Sequence, residues 1–108
     1  MAAELSIEAL REEIDRIDEV VVRLLDRRAR CAFAIGRLKR EQQLTVYEPA
    51  REATVMAHVK AVNAALGGPL DGDAIGRLYE RVMDEARRIQ RIEHDKEAAE
   101  KRDRGLVE

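Results

Sequence analysis

From Ser6 to Gln42 nothing in the chain stops a helix except one isolated glycine, Gly36. Along this stretch apolar side chains recur at Ile7, Leu10, Ile14, Ile17, Val21, Leu24, then Cys31, Ile35 and Leu38. Alternating steps of three and four place them on one face of an α-helix. Ser6 is suited to the N-cap, and Glu8 puts a carboxylate in the first turn, where it offsets the helix dipole. At 1.5 Å per residue such a helix is about 55 Å long, whereas a compact monomer of this length has a radius of gyration of about 13 Å. Two shorter helices from the same chain cover only part of so long a stripe. The stripe therefore predicts a second copy of the chain, in an intertwined helical homodimer.

The remaining sequence reads as two shorter helices. Leu44-Thr45-Val46-Tyr47-Glu48-Pro49 is an extended connection, and Pro49 suits the first position of a new helix. Val55, Met56, Val59, Val62 and Leu66 form the apolar face of that helix, which Gly67-Gly68-Pro69 ends. Asp71 or Asp73 caps the third helix, whose face reads Ile75, Leu78, Tyr79, Val82, Ala86 and Ile89. The expected fold is all-α, a three-helix chain with a long first helix. Residues 1–92 form its helical domain, and residues 93–108 form a charged C-terminal tail, a frayed helix or disordered. Phe33, Tyr47 and Tyr79 are the only aromatics. With six glycines and two prolines, the composition excludes a turn-rich all-β fold.

Several function classes fall away. A formal charge of −2 gives no global attraction to nucleic acid or to an anionic membrane. The run of basic residues from Arg23 to Arg40 holds a single aromatic, Phe33, too few for a stacking surface, and reads as favourable charge placement along a helix dipole. His58 and His94 have no ligand-like spacing with each other or with Cys31, so no metal is expected. No glycine-rich phosphate loop and no Ser/His/Asp or Cys/His arrangement is present. The longest uninterrupted apolar run, Cys31 to Ile35, is far below the roughly 18 residues of a membrane span, and the start lacks a secretory pattern. With a lone cysteine unable to form an internal disulfide, the expected location is the cytoplasm.

Four polar residues stand where the periodicity predicts burial: Arg28 on the first stripe, Lys39 beside its end, Glu52 on the second helix and Gln90 on the third. An unpaired buried charge costs several kcal/mol, so each needs a counter-charge, a ligand or a route to solvent. Any one of them taken singly is accounted for by a long side chain bending to water. Their spacing says more. Positions 11, 18, 25, 32 and 39 are seven apart, so Arg11 and Lys39 flank one edge of the stripe that holds Arg28. Arg28 and Lys39 lie about 16 Å apart along the axis, a gap that two long side chains leaning around a small molecule could close. Arg11 and Arg28 lie about 25 Å apart, so Arg11 reaches such a molecule only from the other subunit. Glu48, Arg51 and Glu52 share a face at the entrance of the second helix, and Ala86 and Gln90 are one turn apart on the third.

These residues resemble those of the all-helical (type II) chorismate mutases. The matching stretches are LREEIDRID with Arg11, LLDRRARCAFAIGRLK with Arg28 and Lys39, VYEPARE with Arg51 and Glu52, and DEARRIQ with Gln90. Together they cover roughly residues 5 to 92. The resemblance implies a homodimeric enzyme of aromatic amino-acid biosynthesis, with no cofactor, that converts chorismate to prephenate by a Claisen rearrangement. By that similarity Arg28 and Arg11 of the partner subunit grip carboxylates, and Lys39 contacts a carboxylate and the ether oxygen. Gln90 donates a second hydrogen bond to that oxygen, Glu52 accepts from the ring hydroxyl, and Arg51 and Glu48 line the pocket. Ala86 stands where some members carry a serine, and Glu48 where some carry an aspartate. Two other functions share the resemblance: an isochorismate-pyruvate lyase with a similar cation set, and a regulatory module that binds chorismate or prephenate and acts on a partner enzyme of the pathway.

Overall fold

In the computed structural model residues 5–105 are described, and they form three helices: α1 (Ile7–Glu41), α2 (Pro49–Leu66) and α3 (Gly72–Asp103). Among the described residues there is no strand. The fold class is all-α, as the periodicity predicts. The caps fall where side-chain chemistry puts them. Ser6 Oγ accepts from the Ala9 amide at 3.0 Å, and Asp71 accepts from the Ala74 amide at 2.7 Å. Pro49 opens α2, and Gly67, with φ 62°, closes it in the left-handed conformation that glycine adopts without steric cost. The end of α1 has no such glycine. Gln43 takes a left-handed turn (φ 59°) instead, and the Leu44 amide folds back on the Lys39 carbonyl at 2.7 Å.

The chain divides into two compact units, residues 1–31 and 32–108. In the first, α1 carries its apolar stripe into the open: Leu10, Ile14, Ile17, Val21 and Leu24 are each 45–53% exposed. Its polar face is laced by short-range ion pairs, Glu13–Arg16 at 2.8 Å and Asp26–Arg30 at 2.7 Å.

In the second unit α2 packs against α3. Met83 is the buried apolar centre, with Val55, Met56, Val59, Ile75 and Val82 half-buried. Gly76 is buried and lets the helices approach, since a Cβ there would stand 3.2 Å from Lys60 Cε. The connecting turn is held by Asn63 Nδ2, which donates to the Leu70 carbonyl at 2.8 Å. Of the two forms expected for the charged tail, helix or disorder, residues 93–103 take the helical one and continue α3 to Asp103. What holds the continuation is charge: Glu97 accepts from Arg40 Nε at 3.2 Å and lies 3.8 Å from Arg37 Nε. Residues 106–108 lie outside the described residues.

Candidate active site

The end of α1, the start of α2 and the middle of α3 engage four of the sequence-predicted residues in three separate sets of contacts. Lys39 forms the first set with Glu48. Its ammonium pairs with Glu48 Oε1 at 2.5 Å and donates to the Val46 carbonyl at 3.2 Å, and the side chain is only 14% exposed. Two acceptors thus fix the ammonium and leave one of its three N–H donors for a ligand.

Gln90 belongs to a tight contact between α3 and α1. Its Nε2 donates to the Ala32 carbonyl at 2.7 Å. Gly36, one turn further along α1, is buried beneath it, and a Cβ at that position would lie 2.9 Å from Gln90 Cγ. The isolated glycine therefore makes room for the amide. With one Nε2 hydrogen committed to Ala32, the second stays available to an oxygen acceptor.

Glu52 meets Arg87, a residue the sequence did not single out. Arg87 binds Glu52 and Asp84 and lies over the Tyr47 ring, 5.9 Å from its centroid. Hydrogen bonds to Asp84 and then Glu52 raise the pKa of the Arg87 guanidinium above its usual value, so it remains a fixed cation.

Arg87, Gln90 and Tyr47 line an open groove of about 550 Å³, together with Arg40, Val46, Arg91 and His94. Three arginines and an amide line it, with Arg87 paired to Glu52 and Asp84 and Arg40 paired to Glu97. The structure does not bring every predicted residue to this wall. Arg51 is exposed on α2, Ala86 is half-buried, and Lys39 and Glu48 are not among the lining residues. Arg11 and Arg28 belong to the first unit, Arg11 exposed and Arg28 half-buried. The missed residues share a signal that could have found them. Met83, Arg87, Gln90, His94 and Glu97 follow one another in steps of four, three, four and three, so a polar face of α3 runs on past the last apolar residue. Among the described residues, no three His, Cys, Asp or Glu side chains are placed to hold a metal ion. No helix of the described residues is long and apolar enough to cross a membrane.

The fold and the groove together define an all-helical chain with arginines and an oriented amide at an open cleft, and similarity to known proteins places it in a family. The profile of chorismate mutase type II matches residues 10–91, and the chain belongs to this family. It is 37% identical over 82 residues to the bifunctional chorismate mutase/prephenate dehydratase of Stutzerimonas stutzeri, covering 71% of this chain and 22% of that protein. It is likewise 37% identical over 86 residues to the T-protein of Enterobacter agglomerans, covering 80% of this chain and 22% of that protein. The chain thus spans about a fifth of the length of these curated relatives. The solved chorismate mutase (form II) of Thermus thermophilus superposes with a TM-score of 0.73 at 34% identity, over 79% of this chain and 93% of that one.

Proposed function

We propose that this chain is a chorismate mutase acting in aromatic amino-acid biosynthesis in the cytoplasm. Its reaction, chorismate to prephenate, is a rearrangement within one molecule: a C–O bond breaks as a C–C bond forms, and no proton changes hands. What the protein must supply is a folded substrate conformer and donors aimed where the ether oxygen gathers negative charge. The observation that carries the reading is two preorganised donors, Gln90 on the groove wall and Lys39 outside it. Lys39 is fixed by Glu48 and the Val46 carbonyl, and Gln90 is fixed by the Ala32 carbonyl above Gly36; each keeps an N–H to spare. These are the two residues that the family resemblance assigns to the ether oxygen. Because such donors cost no reorganisation at the moment of reaction, their hydrogen bonds act on the barrier and not only on binding.

The remaining roles divide by chemistry. Arg28, and Arg11 of the partner subunit, bind carboxylates. Glu52, held at one oxygen by Arg87, keeps its other oxygen for the ring hydroxyl. Arg51, Glu48 and Ala86 contribute to the walls; Ala86 has no hydroxyl to donate, so carboxylate binding at that end falls to cations. The homodimer is supported by the half-exposed stripe from Leu10 to Leu24, which a second copy would cover. A regulatory partner enzyme is supported only by the bifunctional relative.

The test is an assay of the 108-residue chain with chorismate, with the product identified. Prephenate at a rate far above the uncatalysed background is the expected outcome. Pyruvate released from isochorismate with no prephenate from chorismate assigns the lyase instead, and binding without turnover of either assigns the regulatory module.

A further inference from the structure

The family match ends at residue 91, but α3 runs on to Asp103 and meets α1 again beyond that point. Polar ties join the two helices at two levels. The nearer is the bond from Gln90 Nε2 to the Ala32 carbonyl at 2.7 Å, above Gly36. The farther is Glu97, which accepts from Arg40 Nε at 3.2 Å and lies 3.8 Å from Arg37 Nε. By helical rise Ala32 and Arg40 are about 12 Å apart along α1, and Gln90 and Glu97 about 10 Å apart along α3. The helices therefore run side by side in the same direction, tied at points of nearly matched spacing. A single tie is a pivot, whereas two fix register. The farther pair is also shielded, with Arg40 13% and Glu97 29% exposed, unlike the solvent-facing pairs earlier on α1. Lys39 directly precedes Arg40, so the ammonium that Glu48 and Val46 hold leaves α1 within the span between the ties.

We propose that Glu97, from beyond the family match, is a positioning residue for the reaction: through Arg40 it fixes the register of α1 against α3, and with it the separation of the Lys39 and Gln90 donors. The role rests on the reading of this chain as a chorismate mutase, in which both donors address one ether oxygen. Donors carried by two different helices share one acceptor only if the helices hold their relative placement to about 0.5 Å. A misplacement of about 1 Å can cost two decades in rate. The bond from Gln90 to Ala32 leaves the last two turns of α1 able to swing about that point. A charge-assisted bond two turns further along α3 stops the swing at the residue next to Lys39.

The test is steady-state kinetics with chorismate and calorimetric binding of prephenate, on the 108-residue chain and its variants, at a temperature where circular dichroism shows each folded. Glu97→Gln should lower kcat roughly tenfold while the prephenate Kd stays within about twofold of the parent, because register acts on the barrier more than on binding. A merely structural tie would lower the melting temperature and leave kcat of the folded protein unchanged. Arg40→Glu combined with Glu97→Arg keeps the tie with its charges exchanged, Arg37 being half exposed and able to turn to solvent, and should return most of the lost kcat. In a Lys39→Ala background only one of the two donors remains, so Glu97→Gln should cost less than about twofold there. Should Glu97→Gln fail to fold, Glu97→Asp takes its place; its carboxylate is one methylene short of Arg40, and a severalfold loss of kcat is expected. A kcat unchanged in the folded variant, or a loss repeated in full beside Lys39→Ala, overturns the role of Glu97 and leaves the enzymatic reading standing. A parent chain that turns over no chorismate overturns that reading and this role with it.

Discussion

Residues 10–24 and residues 32–40 lie on one uninterrupted helix, yet they are finished in opposite ways. The first stretch leaves seven aliphatic side chains open to solvent, and the ion pair within it, Glu13–Arg16, is exposed and only three residues apart. Exposed pairs of that kind contribute little, typically a few tenths of a kcal/mol. The second stretch also leaves Ile35 and Leu38 half open, but its other face is engaged. The Ala32 carbonyl, Gly36, Lys39 and Arg40 are each engaged by a residue distant in sequence: Gln90, Gln90 again, Glu48 and Glu97. One half of the helix presents a surface whose remaining requirement is cover, and the other half presents donors whose geometry is already set. The proposed oligomeric interface and the proposed reaction site ask for these two different things, and the same 3.6-residue period would serve both.

The sharpest way to break the comparison is to charge the open half. Ile17→Asp should abolish association and nearly all turnover together, because burying an uncompensated carboxylate costs several kcal/mol and a symmetric interface would pay it twice. Sedimentation equilibrium and the chorismate assay read the two effects. A variant that stays dimeric, or a monomer that keeps its turnover, would detach the stripe from function. The next largest effect belongs to the engaged half. Lys39→Ala should retain fold and association but lose two to three decades in kcat, on the order of 3 kcal/mol of transition-state stabilisation. Circular dichroism and single-turnover rates check it, and a near-parental rate would remove Lys39 from the chemistry.

What was legible in the sequence follows the same division. Periodicity and end chemistry specify α1, its N-cap Ser6, the opening of α2 at Pro49 and its closure at Gly67, because these depend on residues a few positions apart. Gln43 shows the limit of that reading: its left-handed turn stands where a glycine signal was absent. Lys39, Glu52 and Gln90 stood out as polar groups on faces predicted to be buried, and each has a specific partner. Of those partners Glu48 is already marked by its place at the entrance of α2, whereas Arg87 is not. Arg87, Arg40 and Glu97 look like ordinary surface charges until α1 and α3 are side by side, since an ion pair 57 residues apart in sequence has no local signature. For the same reason the charged tail read as frayed: a helix held by Glu97 and two arginines contains no apolar stripe to find.

Gln90 offers a finer probe, because its surroundings constrain both chemistry and volume. Gln90→Glu replaces an N–H donor with a group that donates only when protonated, and that when ionised faces the Ala32 carbonyl oxygen. Turnover should fall by about two decades near pH 8 and recover as pH drops toward the carboxyl range, while the parent shows no such acid requirement from this position. A kcat profile of the two proteins between pH 5 and pH 8 decides it; parallel profiles would mean that the amide does not donate in the reaction. Gly36→Ala tests volume. The added Cβ would lie 2.9 Å from Gln90 Cγ, so the side chain must move by several tenths of an ångström. Alanine also gains up to about 1 kcal/mol of helix propensity over glycine. The expected outcome is therefore a loss of roughly tenfold in kcat with little change in melting temperature, a split that a purely structural glycine would not give.

The smallest expected effect concerns the far end of the engaged half. The hydrogen bond from Arg40, reinforced by the charges of Arg40, Arg37 and Lys101, lowers the Glu97 pKa against the opposing effect of desolvation. A carboxyl whose pKa is lower folded than unfolded binds fewer protons in the native state. Its contribution to stability is complete above the unfolded pKa, in the ordinary carboxylate range, and is lost as pH falls through the depressed folded value. Thermal melts between pH 7 and pH 3 should show the parent losing more stability on acidification than Glu97→Gln, with the two curves converging at the acid end. The variant should melt lower at pH 7 for the same reason. Curves that run parallel throughout would mean that the Arg40–Glu97 pair adds nothing to the native state, and that the continuation of α3 is held to the end of α1 by other contacts.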